Sequence, residues 1–194
     1  MEPHATAVYF ADAEYASGLR RFISFVIDFA AYIFLLTLVL SAIQYPLVPE
    51  NVRKMPRSAE QRRLMDEALR PYRTQMWIAA GITTLAYYVL LRTTRHGAIG
   101  NRLTATRVVD ETGEAPRLRI AGRRFLLAAS TCWVFGVTYF FCRAHARGQT
   151  FHDRYAGTWV VRRDSRPAGR AIVQYQLQML GPWLLKYVSL APAD

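Results

Sequence analysis

Apolar residues fall into blocks along this chain, separated by polar, arginine-rich stretches. The first block, Phe22 to Ile43 (FISFVIDFAAYIFLLTLVLSAI), contains one charged residue, Asp28. A bilayer core of about 30 Å needs about 20 helical residues, so this block predicts a transmembrane helix, ended by Pro46 and Pro49. Met76 to Leu91 (MWIAAGITTLAYYVLL) is shorter. Trp77 and Arg92 at its two ends suit the membrane interface and extend its reach, so it predicts a second span. Between them, Ser58 followed by Gln61, with Leu64, Met65, Ala68 and Leu69 at helical spacing, predicts a short amphipathic helix on the membrane surface. Phe125 to Phe141 is a third block, flanked by Arg123, Arg124 and Arg143.

The remaining segments are polar. Residues 1–19 lack the basic start of a signal peptide and read as a soluble arm. Leu103 to Asp110, a turn at Glu111–Glu114 and the alternating Arg117–Ile120 predict a small β-hairpin. Residues 163–194 read as a basic linker and an interfacial tail, interrupted at Gly181-Pro182. An internal echo, R-x-x-(A/G)-T-x-V-V, joins Arg102–Val109 to Arg154–Val161. Two such strands would pair only on one side of the membrane, and the third block would then re-enter or lie in the interface. A simple third crossing is the first reading of this block, and the re-entrant form the second.

Composition narrows the class. Of 194 residues, 52% are hydrophobic, which excludes a disordered chain. Two cysteines, Cys132 and Cys142, exclude a disulfide scaffold. The net charge is +11, and all the basic residues except Lys54 and Lys186 are arginine. They collect at the ends of the apolar blocks, which fits contact with anionic headgroups and not a nucleic-acid-binding stripe. The expected fold is an all-α polytopic membrane protein: two to three transmembrane helices with a small cytoplasmic β element. Its parts are the arm 1–19, a transmembrane domain 20–162 and the tail 163–194.

Asp28 is the informative residue. A carboxylate near the centre of a spanning helix costs roughly 2.5–3.5 kcal/mol on insertion scales unless it is paired or neutralised, so it marks a candidate site. Arg21 lies seven residues earlier. Seven helical steps return to within about 20° of the same face, about 10.5 Å along the axis. Asp28 then either takes up and releases a proton or monovalent cation, or is a structural partner that fixes helix packing. His152-Asp153-Arg154 is a second candidate, with Asp153 able to meet Arg21 at the membrane surface. Zinc spacing among Cys and His is absent, as are a nucleophile motif and a phosphate loop, so neither an enzyme nor a metal or cofactor is expected. Two spans do not enclose a pathway, which implies a homo-oligomer.

These residues resemble a known family. Arg21-Phe-Ile-Ser-Phe-Val-Ile-Asp28 is similar to the opening of the RDD family of bacterial membrane proteins, named for one arginine and two aspartates. His152-Asp153-Arg154-Tyr-Ala-Gly-Thr-Trp-Val-Val resembles the family's H-D-x-x-A-G-T-x-V-V, and Gly100-Asn-Arg102 through Asp110 its G-K-R-x-x-x-x-R-V-V-D. Where the family reads G-Q-T-x-G-K, this chain has His96-Gly-Ala-Ile-Gly100-Asn101. The resemblance implies a constellation of Arg21, Asp28 and Asp153, supported by His152, Arg154, Arg102 and Gly100. An inner-membrane location is expected, and if the third block does not cross, 18 basic residues gather on the side of the termini against 7 on the other, which by the positive-inside rule puts the N-terminus in the cytoplasm. Some members are linked to cation/proton exchange, and related domains to accessory roles in membrane complexes.

Overall fold

In a computed structural model, which describes residues 6–94, 96–131, 149–180 and 183–192, the first apolar block is one helix, α1 (Gly18–Leu47), with Pro46 in its last turn. Its large side chains face outward: Phe34 is 72% and Leu38 57% exposed, while its buried residues are Arg21, Ser24 and Asp28. A helix on a water-soluble core has its apolar stripe inward and its polar face outward. The reverse arrangement suits lipid on the outside, with the ionisable groups turned toward protein.

After α2 (Glu50–Arg53), helix α3 (Ala59–Leu69) is capped by Ser58, whose side chain accepts the Gln61 N–H at 3.1 Å. The Gln61 side chain donates back to the carbonyls of Val52 and Met55, closing the connector. A 3-10 turn at Arg70–Tyr72 leads into α4 (Arg73–Leu85), which continues through a π-helical turn at Ala86–Leu90 into α5 (Leu91–Thr93). The surface helix and second span expected as separate pieces therefore form one helical run, Ala59–Thr93. Pro71 does not break it, because proline is tolerated in the first turn of a helical segment. This run and α1 are each long and apolar enough to cross a membrane.

The chain divides into two compact units, residues 29–87 and residues 1–28 with 88–194. Within the first, the two long helices meet through Tyr32 Oη and Thr84 Oγ1 (2.7 Å), the Tyr32 and Tyr87 rings, and Gln44 Nε2 against Met76 Sδ.

The second unit carries the strands. α6 (Ile99–Leu103) leads to β2 (Thr106–Val109), and α8 (Phe151–Ala156) to β3 (Trp159–Arg162); α7 (Leu118–Thr131) lies between them in sequence. β2 and β3 pair antiparallel, with Val108 opposite Val160. The internal echo is thus a structural repeat. Each copy is a short helix, one residue in the left-handed region (Ala105, φ 49°; Gly157, φ 68°), a threonine and a strand. The hairpin partner expected at Arg117–Ile120 is instead the start of α7. Four alternating residues are too few to separate a period of 2 from one of 3.6. α7 takes in the start of the third block; the rest of that block, including Gly136, lies outside the described residues.

A second sheet, ordered β1-β4-β5, joins β1 (Thr6–Tyr9) to a long hairpin of β4 (Gly169–Leu180) and β5 (Trp183–Pro192). The tail, read from the sequence as an interfacial segment, is a paired hairpin, and the molecule is mostly helical with small strands rather than all-α. Ala7, Phe10, Tyr15, Val109, Trp159, Val161, Ala171 and Val173 share one apolar core. Backbone bonds from Val8 N to Glu111 O (2.8 Å) and from Ala16 N to Val160 O (2.9 Å) tie the N-terminal arm to it.

Candidate functional site

Positions 21, 24 and 28 follow an i, i+3, i+7 spacing and so share one face of α1. Two short helices dock on that face. Gly100 of α6 donates its backbone N–H to Asp28 Oδ1 at 2.7 Å. A Cβ at Gly100 would collide with the Ser24 carbonyl oxygen and lie 2.9 Å from Asp28 Cγ, so glycine is required for this approach. Arg92, just past the π-helical turn, brings Nη2 to 3.7 Å from Asp28 Oδ2. Asp28 is 1% exposed.

Asp153, fully buried, sits at the start of α8 in a capping box with Thr150: Thr150 Oγ1 accepts the Asp153 N–H, and Asp153 Oδ2 accepts the Thr150 N–H. The same carboxylate receives Arg21 Nη2 on Oδ2 and Arg124 Nε on Oδ1 at 2.6 Å. Thr158 Oγ1 also donates to Oδ1, at 3.4 Å. A carboxylate is favoured at a helix N-terminus, and two guanidiniums make its burial tenable.

A cavity of about 30 Å³ is lined by Arg21, Asp28, Arg92, Asn101, Arg124 and His152, with Thr106 and Ser24 among its other walls. That is room for about one or two waters. His152 is buried. Its burial first, then the charges of Arg124, Arg21 and Arg92, hold its pKa well below the usual 6.5, although Asp153 Oδ1 lies 3.7 Å from Nε2. The imidazole is accordingly neutral at pH 7.

The residues of the sequence-predicted constellation, Arg21, Asp28 and Asp153, lie together, with a further guanidinium at Asp28. Arg21 and Asp28 share the stripe, Arg21 meets Asp153 as the sequence allowed, and Arg92, not Arg21, is the guanidinium facing Asp28. Gly100 and His152 belong to the site. Arg102 does not: it is exposed, with Nε donating to the Gly97 carbonyl. Arg154 is half-buried and does not line the cavity. Sequence reasoning missed Arg92, Arg124 and Asn101. Both arginines end apolar blocks, where they read as interfacial anchors; Asn101 carries no charge to draw notice. Among the described residues, no group of His, Cys, Asp and Glu is arranged to hold a metal ion.

The sequence profile of the RDD family matches residues 15–157, and the chain belongs to that family. No curated protein and no solved structure matches the chain.

Proposed function

We propose that this RDD-family membrane protein is a component of ion exchange, and that the buried cluster is its working site. Asp28 is the group that takes up and releases the ion. Asp153, clamped by Arg21 and Arg124, is the fixed frame, and Arg92 is the counter-charge to Asp28. The observation that carries this reading is the cavity: a water-sized space lies against a buried carboxylate on a lipid-facing helix. Of the two cargoes expected from the sequence, the surroundings favour a proton over a monovalent metal cation. Three guanidiniums line the same space, and a metal ion would meet them in a medium of low dielectric. Two spans do not enclose a pathway, so the acting unit holds more than one copy, in the inner membrane with the N-terminus in the cytoplasm.

A non-transporting reading draws on the Asp153 clamp, which looks like a fixed joint. In it the protein is a membrane scaffold or accessory subunit. Flux separates the two. In reconstituted vesicles, the wild-type protein is expected to move protons, and Asp28→Asn to reduce that flux at least tenfold while expression and oligomer size are kept. Absence of flux from folded wild-type protein overturns the exchange reading and favours the scaffold.

A further inference from the structure

Helix α7 (Leu118–Thr131) turns Ala121 and Arg124 inward and carries an exposed side opposite them. On that outer side Leu118, Gly122, Leu126 and Ala129 follow the spacing i, i+4, i+8, i+11, which makes one stripe about three turns long. Leu118 is 57% and Leu126 67% exposed, and a Cβ added at Gly122 would meet open space. The outward face of a helix on a water-soluble body is polar. A continuous apolar stripe in its place marks a contact surface.

The charges beside the stripe say what it contacts. Arg119 and Arg123, one turn apart, are exposed along its edge. Neither guanidinium has an ion pair or a hydrogen bond among the described residues. Residues 115–131 contain no Asp or Glu. A second copy of the chain docked here across a two-fold axis would bring these arginines toward their own counterparts, which disfavours it. An anionic lipid surface satisfies both stripes at once: the apolar side chains sink below the headgroups, and the guanidiniums stay level with the phosphates. The spacing also bears on orientation. Were α7 upright in the bilayer, Leu118 would stand about 12 Å above Leu126, on the water side of both arginines. Laid flat, the whole stripe shares one depth.

We propose that α7 lies in the plane of the membrane and seats on anionic phospholipid, with Leu118, Leu126 and Ala129 below the headgroups and Arg119 and Arg123 on lipid phosphates. Arg124, on the inner side of the same helix, holds Asp153, so one helix bears the lipid contact and part of the buried cluster. The test reads depth and not flux, so this surface stands or falls apart from the exchange reading.

A nitroxide is placed at Leu118→Cys, Gly122→Cys or Leu126→Cys in the full chain, in a background with Cys132 and Cys142 replaced by serine. Each variant is reconstituted in nanodiscs of phosphatidylcholine alone or of an equal mixture with phosphatidylglycerol. Depth is read from relaxation by oxygen against relaxation by a water-soluble nickel chelate. In the anionic discs the three labels are expected at one common depth, about 5–10 Å into the boundary between headgroups and acyl chains. Replacing either Arg119 or Arg123 by glutamine there is expected to raise nickel accessibility at Leu126→Cys by up to about fivefold, the loss of one guanidinium near an anionic surface. Pure phosphatidylcholine is expected to raise it in the same direction with both arginines present. Should Gly122→Cys not fold, Ala129→Cys takes its place on the same stripe. Depths that step by about 6 Å from Leu118 to Gly122 and again to Leu126 mark an upright helix and overturn the proposal. Equal accessibility in the two lipids overturns it as well, as do labels shielded from both relaxants, the mark of a protein cover.

Discussion

Gly100 and His152 are the residues at which the cluster is most open to test. At Gly100 the limit is steric. A methyl group there meets the Ser24 backbone oxygen, which a helical backbone does not readily yield, and it also presses on the carboxyl of Asp28. Gly100→Ala is therefore expected to destabilise the protein by about 3 kcal/mol, the upper part of the overpacking range, and to lower the thermal midpoint by about 6–12 °C. An unchanged midpoint would mean that α6 does not sit this close to α1. At His152 the limit is electrostatic. Its folded-state pKa lies below the unfolded value of about 6.5, so the unfolded state binds the proton more readily. Stability is then full above about pH 6.5 and falls as the pH drops through the window down to the folded value, by up to about 1.4 kcal/mol per pH unit. His152→Gln removes that slope. Melting curves between pH 7.5 and 5 check it, and equal acid sensitivity in the variant would discount the imidazole.

At the scale of elements, the two helix–strand copies differ in their left-handed residue. Gly157 accepts φ 68° without strain, whereas Ala105 holds φ 49° with a Cβ that crowds the backbone. Ala105→Gly relieves that crowding and gives back part of the gain as backbone entropy in the unfolded chain. A net stabilisation of about 0.5–1 kcal/mol is expected in denaturant titration, and a loss would mean that the Ala105 methyl packs usefully. The same repeat marks how far the sequence could be read. Arg21 and Asp28 were legible because a seven-residue spacing on a helix fixes a shared face, and the echo at Val108–Val109 and Val160–Val161 was legible as a candidate pair. The partners of Asp28 and Asp153 were not. An arginine at the end of an apolar run has the same local signature whether it reaches for headgroups, as expected of Arg92 and Arg124, or turns inward to a carboxylate. The tail was misread for a related reason. Gln174, Gln176 and Gln178 alternate with apolar residues, the period of a strand, but their partners Ser189, Tyr187 and Leu185 follow only after Gly181-Pro182, and β1 lies at the far end of the chain.

At the scale of the whole molecule, strand pairing constrains how the chain meets the membrane. β1 pairs with β4, β2 with β3, and Tyr15 bridges to Val161, so the N-terminal arm, the segment after α6 and the tail belong to one folded body. Such a body lies on one side of a bilayer. A 17-residue apolar block, about 25 Å as helix, is too short to cross a bilayer twice. If the arm, residues 92–124 and the tail from 142 share one side, eighteen of the 25 basic residues fall there and seven in the 44–75 connector, and the positive-inside rule predicts the termini in the cytoplasm. Single cysteines at the exposed positions Asp12, Arg57 and Arg166, in a background with Cys132 and Cys142 replaced by serine, report the sides directly. Asp12→Cys and Arg166→Cys are expected to react with a membrane-impermeant maleimide only after the inner membrane is opened, and Arg57→Cys in intact spheroplasts. Labelling of Arg166→Cys and Asp12→Cys from opposite sides would require the third block to cross once, and β4 would then be unable to pair with β1 in the membrane-embedded protein.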